Sequence, residues 1–302
     1  MAKLVRRPGI GLALSGGGAR GLAHIGVLKV FDRENIPIDF LAGTSAGGLV
    51  GSLYAVGHSP EEIENDVLDL TAPRQLVTLV DRVLPRRGLL KGSKVLEYLN
   101  QWLGDKTFEQ LDIPFAVVAV DLNTGTRVMI NEGKLVDAVR ATIAFPGVFA
   151  PIRKGDQLLV DGGLLDNLPT DVARALGADV VIAVDVATDE RTMAQLTGGL
   201  HSNPLVPDGL ADLVEVLWRS MMVMTGEINR HCLEKAPPDL LIDPPLPPGI
   251  TTFTGIDHAA EAIEAGEKAM EAALPELNEI ISTMEKPLGR LGTWLKREVF
   301  RS

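Results

Sequence analysis

The sequence predicts an α/β protein in which a mainly parallel sheet is covered by helices. Three observations carry that expectation. A short apolar run, a glycine turn and a helical pattern follow one another twice within the first 60 residues. A near-continuous apolar run at residues 180–186 suits a central parallel strand, buried on both faces. The 302-residue chain is 46% hydrophobic and 23% charged, enough to bury a large core, and with 4% aromatics that core must be Leu, Val, Ile and Ala.

The elements follow in order. Residues 9–14 (GIGLAL) form the first strand and meet Ser15-Gly16-Gly17-Gly18. A helix is expected over residues 19–34, with Leu22, Ile25, Leu28 and Val30 at roughly helical spacing. Residues 38–42 form a second strand, which runs into Gly43-Thr44-Ser45-Ala46-Gly47 and a helix to about Val56. Ser59-Pro60-Glu61-Glu62 is a helix start, with Ser59 as N-cap, Pro60 at the first helical position and Glu62 three residues on. It opens an α-rich excursion at residues 60–110, containing the loop Pro85-Arg86-Arg87-Gly88 and readable as a lid or as sheet-covering helices. Further strands are expected at residues 115–120, 127–130, 158–160, 180–186 and 240–242. Residues 187–209 read as a polar loop and residues 210–234 as a long helix. A last helix is expected from about Asp257 to Ala273.

Charge and cysteine usage exclude some functions. A net charge of −11 speaks against a nucleic-acid partner. The lone Cys232 needs no oxidising compartment, and no signal-peptide h-region or span of about 18 apolar residues is present, so the expectation is a cytoplasmic protein.

Three motifs carry chemistry. Gly43-Thr44-Ser45-Ala46-Gly47 fits G-x-S-x-G between a strand and a helix, the setting of a nucleophile elbow; an ordinary strand–helix turn capped by Ser45 is the plain alternative. Gly16, Gly17 and Gly18, followed by Ala19, Arg20 and Gly21, expose backbone N–H groups suited to an oxyanion. The same loop satisfies G-x-G-x-x-G through Gly16, Gly18 and Gly21, which keeps a nucleotide-binding oxidoreductase as an alternative, with Asp39 as its ribose acid. That alternative is weakened because Asp39 stands before or at the start of the second strand and not at its end, and because that strand ends in a nucleophile-type turn instead of a ribose-binding acid. Asp161-Gly162-Gly163 follows a short strand and alone is a common turn. None of His24, His58, His201, His231 and His258 has a supporting motif, although chain order excludes none of them as a triad member.

Together, and over roughly residues 9–270, these motifs resemble the patatin-like phospholipase family, particularly its compact bacterial members. The segments Arg140-Ala141-Thr142-Ile143-Ala144-Phe145-Pro146 and Asn167-Leu168-Pro169 also look like the family's, with Thr142 where a serine is common. The resemblance implies a three-layer α/β/α fold and a Ser45–Asp161 dyad without histidine. It implies an oxyanion loop at Gly16–Gly21, an elbow at Gly43, Thr44, Ala46 and Gly47, and an acid motif completed by Gly162 and Gly163. The implied activity is metal- and cofactor-independent hydrolysis of phospholipid, lysophospholipid or other acyl esters; a catalytically idle regulatory protein on the same fold is the third reading. Arg20 either binds a phosphate head group or braces the loop.

The expected organisation is an extension at residues 1–8, one hydrolase domain at 9–275 and a basic amphipathic tail at 276–302. In the tail, Leu288, Leu291, Leu295 and Val299 share a face beside Lys286, Arg290, Lys296, Arg297 and Arg301, a composition suited to a helix on the inner face of an anionic membrane or to a docked terminal helix. Leu213, Leu217, Met221, Met224 and Ile228 form a stripe expected to be core, whose methionines would also suit an acyl pocket.

Overall fold

Strand β1 (Ile10–Leu14) is buried over its whole length, and the reason is its place in the sheet. The computed structural model describes residues 7–71, 93–187, 208–252 and 254–285. Within them the strands are β1, β2 (Phe40–Thr44), β3 (Phe115–Asp121), β4 (Thr126–Ile130), β5 (Ile152–Lys154), β6 (Gln157–Asp161), β7 (Val180–Val184) and β8 (Leu240–Ile242). The helices are α1 (Ala23–Arg33), α2 (Ala46–Ala55), α3 (Pro60–Thr71), α4 (Ser93–Leu103), α5 (Leu135–Thr142), α6 (Thr170–Leu176), α7 (Asp208–Lys235) and α8 (Ala259–Glu285).

The parallel centre of the sheet runs β3-β2-β1-β7-β8. β4 and β6 both lie antiparallel to β3, and their registers place them on opposite edges. β4 pairs with Val117–Asp121 while β2 pairs with residues 115–118 on the other edge. β6 pairs with residues 119–121, so it occupies the edge that β2 vacates after Thr44. Thr44 stands opposite Val118 and Asp161 opposite Ala119, so β2 and β6 end against each other. This head-on meeting of two strand ends builds the site described below.

Alternation along the strands sends side chains into two cores. Ile10, Leu12 and Leu14 join α1, α2 and α8 on one face, while Ala13, Ala42, Ala116, Val181 and Ala183 meet α6 on the other, giving three layers. The second face is lined by small residues, so the short α6 lies close to the sheet. On the first face α1 and α8 touch backbone to backbone: a Cβ on Gly26 would stand 1.9 Å from the Ile263 carbonyl oxygen, and one on Gly266 2.0 Å from that of Ala23. Any side chain at either position would force the helices apart.

The Ser59 start of α3 forms as the residues direct. The Glu62 N–H donates to Ser59 Oγ and the Ser59 N–H donates to Glu62 Oε2, a reciprocal capping box. The expected first helix is split, because Gly18 takes φ +59° and residues Gly18–Leu22 form a 3-10 turn before α1 begins. Strand β5 and helices α5 and α6 are additional to the expected elements. The last helix continues through Pro275 to Glu285; a proline forfeits one helical hydrogen bond, and burial of Met270 and Leu277 on either side offsets that loss.

A further expectation is corrected. The α7 stripe is not core: Leu213, Leu217 and Met224 are exposed, and Met221 and Ile228 only half-buried. Periodicity identifies an apolar face but not the neighbour that covers it. The inward side of α7 instead brings Trp218 edge-on to Phe145 and Leu233 against the small-residue core. The Pro85–Gly88 loop, most of the 187–209 loop and residues 286–302 of the tail lie outside the described residues. No helix among the described residues is long and apolar enough to cross a membrane.

Candidate active site

Ser45 sits at the junction of β2 and α2, and its backbone is strained. At φ 51° and ψ −119° it is, with Asn35, one of two non-glycine residues of positive φ among the described residues. Such a conformation persists only where its surroundings hold it. The Ser45 N–H donates to Thr142 Oγ1 (2.9 Å), and the Thr142 hydroxyl donates in turn to the Val118 carbonyl (2.6 Å). Thr142 is wholly buried. The turn is closed by contact between its glycines, since a Cβ on Gly43 would stand 2.6 Å from the backbone of Gly47. Thr44 adds a bond from its hydroxyl to the Asp166 carbonyl (3.0 Å). Ala46 opens α2 and faces Gly21 across a gap that admits no Cβ.

The Ser45 hydroxyl donates to Asp161 Oδ2 at 2.6 Å. Asp161 is the last residue of β6, delivered to Ser45 by the meeting of strand ends. Its other oxygen accepts from the Gly163 N–H (2.8 Å), and its own N–H donates to the Ala144 carbonyl. Burial raises the carboxyl to about 6, against the lowering effect of the bonds from Ser45 and Gly163. Gly162 packs on the Val118 carbonyl with no room for a side chain.

The glycine loop faces this pair. The Gly16 N–H donates to the Asn167 carbonyl (3.1 Å), the Ala19 N–H to Thr252 (3.4 Å) and the Arg20 N–H to Gly17. Among the described residues no acceptor meets the N–H groups of Gly17 and Gly18. A cavity of about 530 Å³ opens over Ser45 and Asp161, lined by Gly16, Gly17, Gly18, Phe145, Leu164, Asn167 and, from α7, Met222, Val223, Asn229 and Arg230, among others. Ala19, Arg20 and Gly21 do not line it. Arg20 braces the loop, its guanidinium donating to the carbonyls of Val186 (2.9 Å) and Ile250 (3.5 Å).

Two residues of the site carried little weight in the sequence, and a third carried none. Thr142 stood only as a departure from a common serine, yet its hydroxyl holds the nucleophile's amide. Asn167 donates through Nδ2 to the Gly16 carbonyl (3.0 Å), so two hydrogen bonds fasten the glycine loop to the segment after Asp161. Asn229 on α7 accepts the Asn167 N–H (2.7 Å), a long-range pairing without a local pattern.

The described histidines lie elsewhere. His24 is buried, donates from Nε2 to the Ser15 carbonyl (2.8 Å) and is lowered to about 4 by burial, so it stays neutral. His58 bonds the Trp102 carbonyl, while His231 and His258 sit on the surface beside glutamates. None of these four lines the cavity, and His201 lies outside the described residues. A dinucleotide site needs an acid at the C-terminal end of β2. Asp39 lies at the other end, accepting from the Ile10 N–H and paired with Arg7.

The sequence model of the patatin-like phospholipase family matches residues 12–174. An uncharacterised NTE-family protein of Mycobacterium tuberculosis is 32% identical over 295 residues, covering 92% of this chain and 49% of that protein. Patatin-like phospholipase domain-containing protein 6 of Mus musculus is 34% identical over 196 residues, 64% of this chain and 14% of its own. The chain thus spans about half the length, or less, of these curated relatives. Among solved structures, VipD from Legionella pneumophila overlays 89% of this chain and 67% of its own with a TM-score of 0.47 and 14% identity.

Proposed function

We propose that this chain, which belongs to the patatin-like phospholipase family, hydrolyses acyl esters of phospholipids or lysophospholipids with Ser45 as nucleophile and Asp161 as its base. The observation that carries the proposal is the 2.6 Å contact from Ser45 Oγ to a buried carboxylate, beside two backbone amides, of Gly17 and Gly18, that meet no acceptor among the described residues.

Ser45 Oγ attacks the ester carbonyl carbon as Asp161 Oδ2 takes its proton. The carbonyl oxygen becomes an oxyanion and receives the N–H groups of Gly17 and Gly18. Collapse expels the alcohol, which takes the proton back from Asp161, and leaves the acyl group on Ser45. Water then attacks the acyl-enzyme with Asp161 again as base, releasing the fatty acid and restoring Ser45. A carboxyl raised to about 6 is ionised at neutral pH yet is roughly a hundredfold stronger base than an ordinary aspartate. It still lies far below a serine hydroxyl, so the amides must share the work; one such donor is worth about a hundredfold or more in rate. The apolar lining from Phe145, Leu164, Met222 and Val223 suits an acyl chain.

The test is fatty-acid release from detergent-dispersed phosphatidylcholine and lysophosphatidylcholine, comparing the wild type with Ser45→Ala. Turnover of either lipid by the wild type, falling about 10⁴-fold or more in the variant, is expected. Equal release by both proteins, or none by the folded wild type, contradicts the proposal.

A further inference from the structure

Nine large apolar side chains are exposed among the described residues, and five of them, Leu213, Val216, Leu217, Val223 and Met224, fall within one stretch of α7. These five are 54–71% exposed, whereas the other four are scattered and reach only 38–50%. Single exposed apolar residues are ordinary, but a contiguous cluster marks a binding surface. At 100° per residue the five share one face of the helix, with only Ser220 among them. The same face turns polar immediately afterwards, through Glu227, His231 and Glu234.

From this geometry we infer that the apolar face of α7 docks the protein on a lipid surface, with the mouth of the cavity held against it. The choice of occupant rests on the lipid-hydrolase reading of the site. Val223 belongs both to the exposed face and to the cavity lining, and its neighbour Met222 also lines the cavity, so the two surfaces are continuous. A protein seated on this face would cover Val223 and obstruct the mouth; a lipid surface supplies substrate to it. The basic side chains on the flanks are ion-paired, Arg219 with Glu215 and Arg230 with both Glu227 and Glu234, so these five groups leave no net positive charge for an anionic surface. Attachment is therefore by apolar burial, and it favours neutral lipid for a chain of net charge −11.

The experiment uses the full chain with phosphatidylcholine vesicles, at low and high salt, and the double variant Leu213→Asp, Leu217→Asp. These two residues are exposed and stand clear of the cavity lining. Wild type is expected to sediment with the vesicles at both salt concentrations, and the variant to lose about tenfold or more of that partition. Hydrolysis of vesicle-borne ester should fall with it, while hydrolysis of a monomeric short-chain ester stays within about twofold, because the cavity is untouched. Unchanged sedimentation of the variant overturns the inference. So does binding restricted to anionic vesicles and lost in salt, or a lipid-free dimer that the variant dissolves, which would assign the face to a second copy. Failure on the monomeric ester bears on the hydrolase reading alone, since sedimentation reports docking without turnover.

Discussion

The two ends of the central sheet treat carboxylates in opposite ways. At the end where the parallel strands begin, Asp39 accepts from the Ile10 N–H and pairs with Arg7, Asp179 accepts from the Gly9 N–H, and Asp239 accepts from the Val181 N–H and pairs with Arg174. Each acid there satisfies a backbone N–H in or beside the first residues of a strand, which is a stabilising use. At the end where the strands finish, Asp161 is buried with no cation beside it among the described residues, its neighbour Ser45 is held at positive φ, and the Gly17 and Gly18 amides meet no acceptor among those residues. One end satisfies its polar groups at the cost of nothing but sequence. The other keeps several of them poised, which lowers stability and makes chemistry available.

The largest expected effect is at Ser45. Ser45→Ala should remove turnover by about 10⁴-fold or more, measured as fatty-acid release, while relieving backbone interactions little. Asp161→Asn should cost about 10³-fold or more, and it separates activity from stability. The carboxyl is raised from 3.8 to about 6 in the folded protein, so its protonated form is the one the fold favours. Its contribution to stability is complete below the unfolded value and is lost as pH rises through 6. Asp161→Asn should therefore stabilise the protein above pH 6, by up to roughly 3 kcal/mol, with the gain vanishing below about pH 4. Urea unfolding of both proteins across that range checks the sign; a variant less stable at high pH than the wild type would reverse it.

Thr142 gives the next step down. Thr142→Val leaves the Ser45 N–H and the Val118 carbonyl without partners, each worth about 1–3 kcal/mol when buried. We expect kcat to fall about 10- to 100-fold with KM nearly unchanged, and Thr142→Ser to stay within about threefold because the hydroxyl is kept. A Thr142→Ser variant as impaired as the valine would place the effect in methyl packing against Gly48 instead. The smallest effect on activity belongs to the opposite end of the sheet. Asp39→Ala should lower stability by about 1–2 kcal/mol and leave turnover within about twofold, by thermal unfolding and ester assay.

Much of this contrast was legible before the structure. The two strand–glycine–helix units, the Ser59 cap and the buried run leading to β7 follow from periodicity and capping chemistry, which act over a few residues. The position of Asp39 before β2 was also legible, and it separates that acid from the glycine loop. The pairing of β6 with the edge that β2 vacates was not, because it depends on register between segments far apart in the chain. The hydrogen bonds of Thr142 and Asn229 are equally long-range, spanning 97 and 62 residues. The exposure of the α7 stripe is not legible for a different reason: a helical apolar period is the same whether a sheet, a lipid or solvent lies against it.

Activation of Ser45 by Asp161 can be read from the pH dependence of fluorophosphonate labelling, with the modified residue located by mass spectrometry. Ser45 is expected to carry the label, at a rate that climbs with a midpoint near pH 6, and the climb is expected to be lost in Asp161→Asn. Label on another residue, or a climb that survives Asp161→Asn, would contradict that activation.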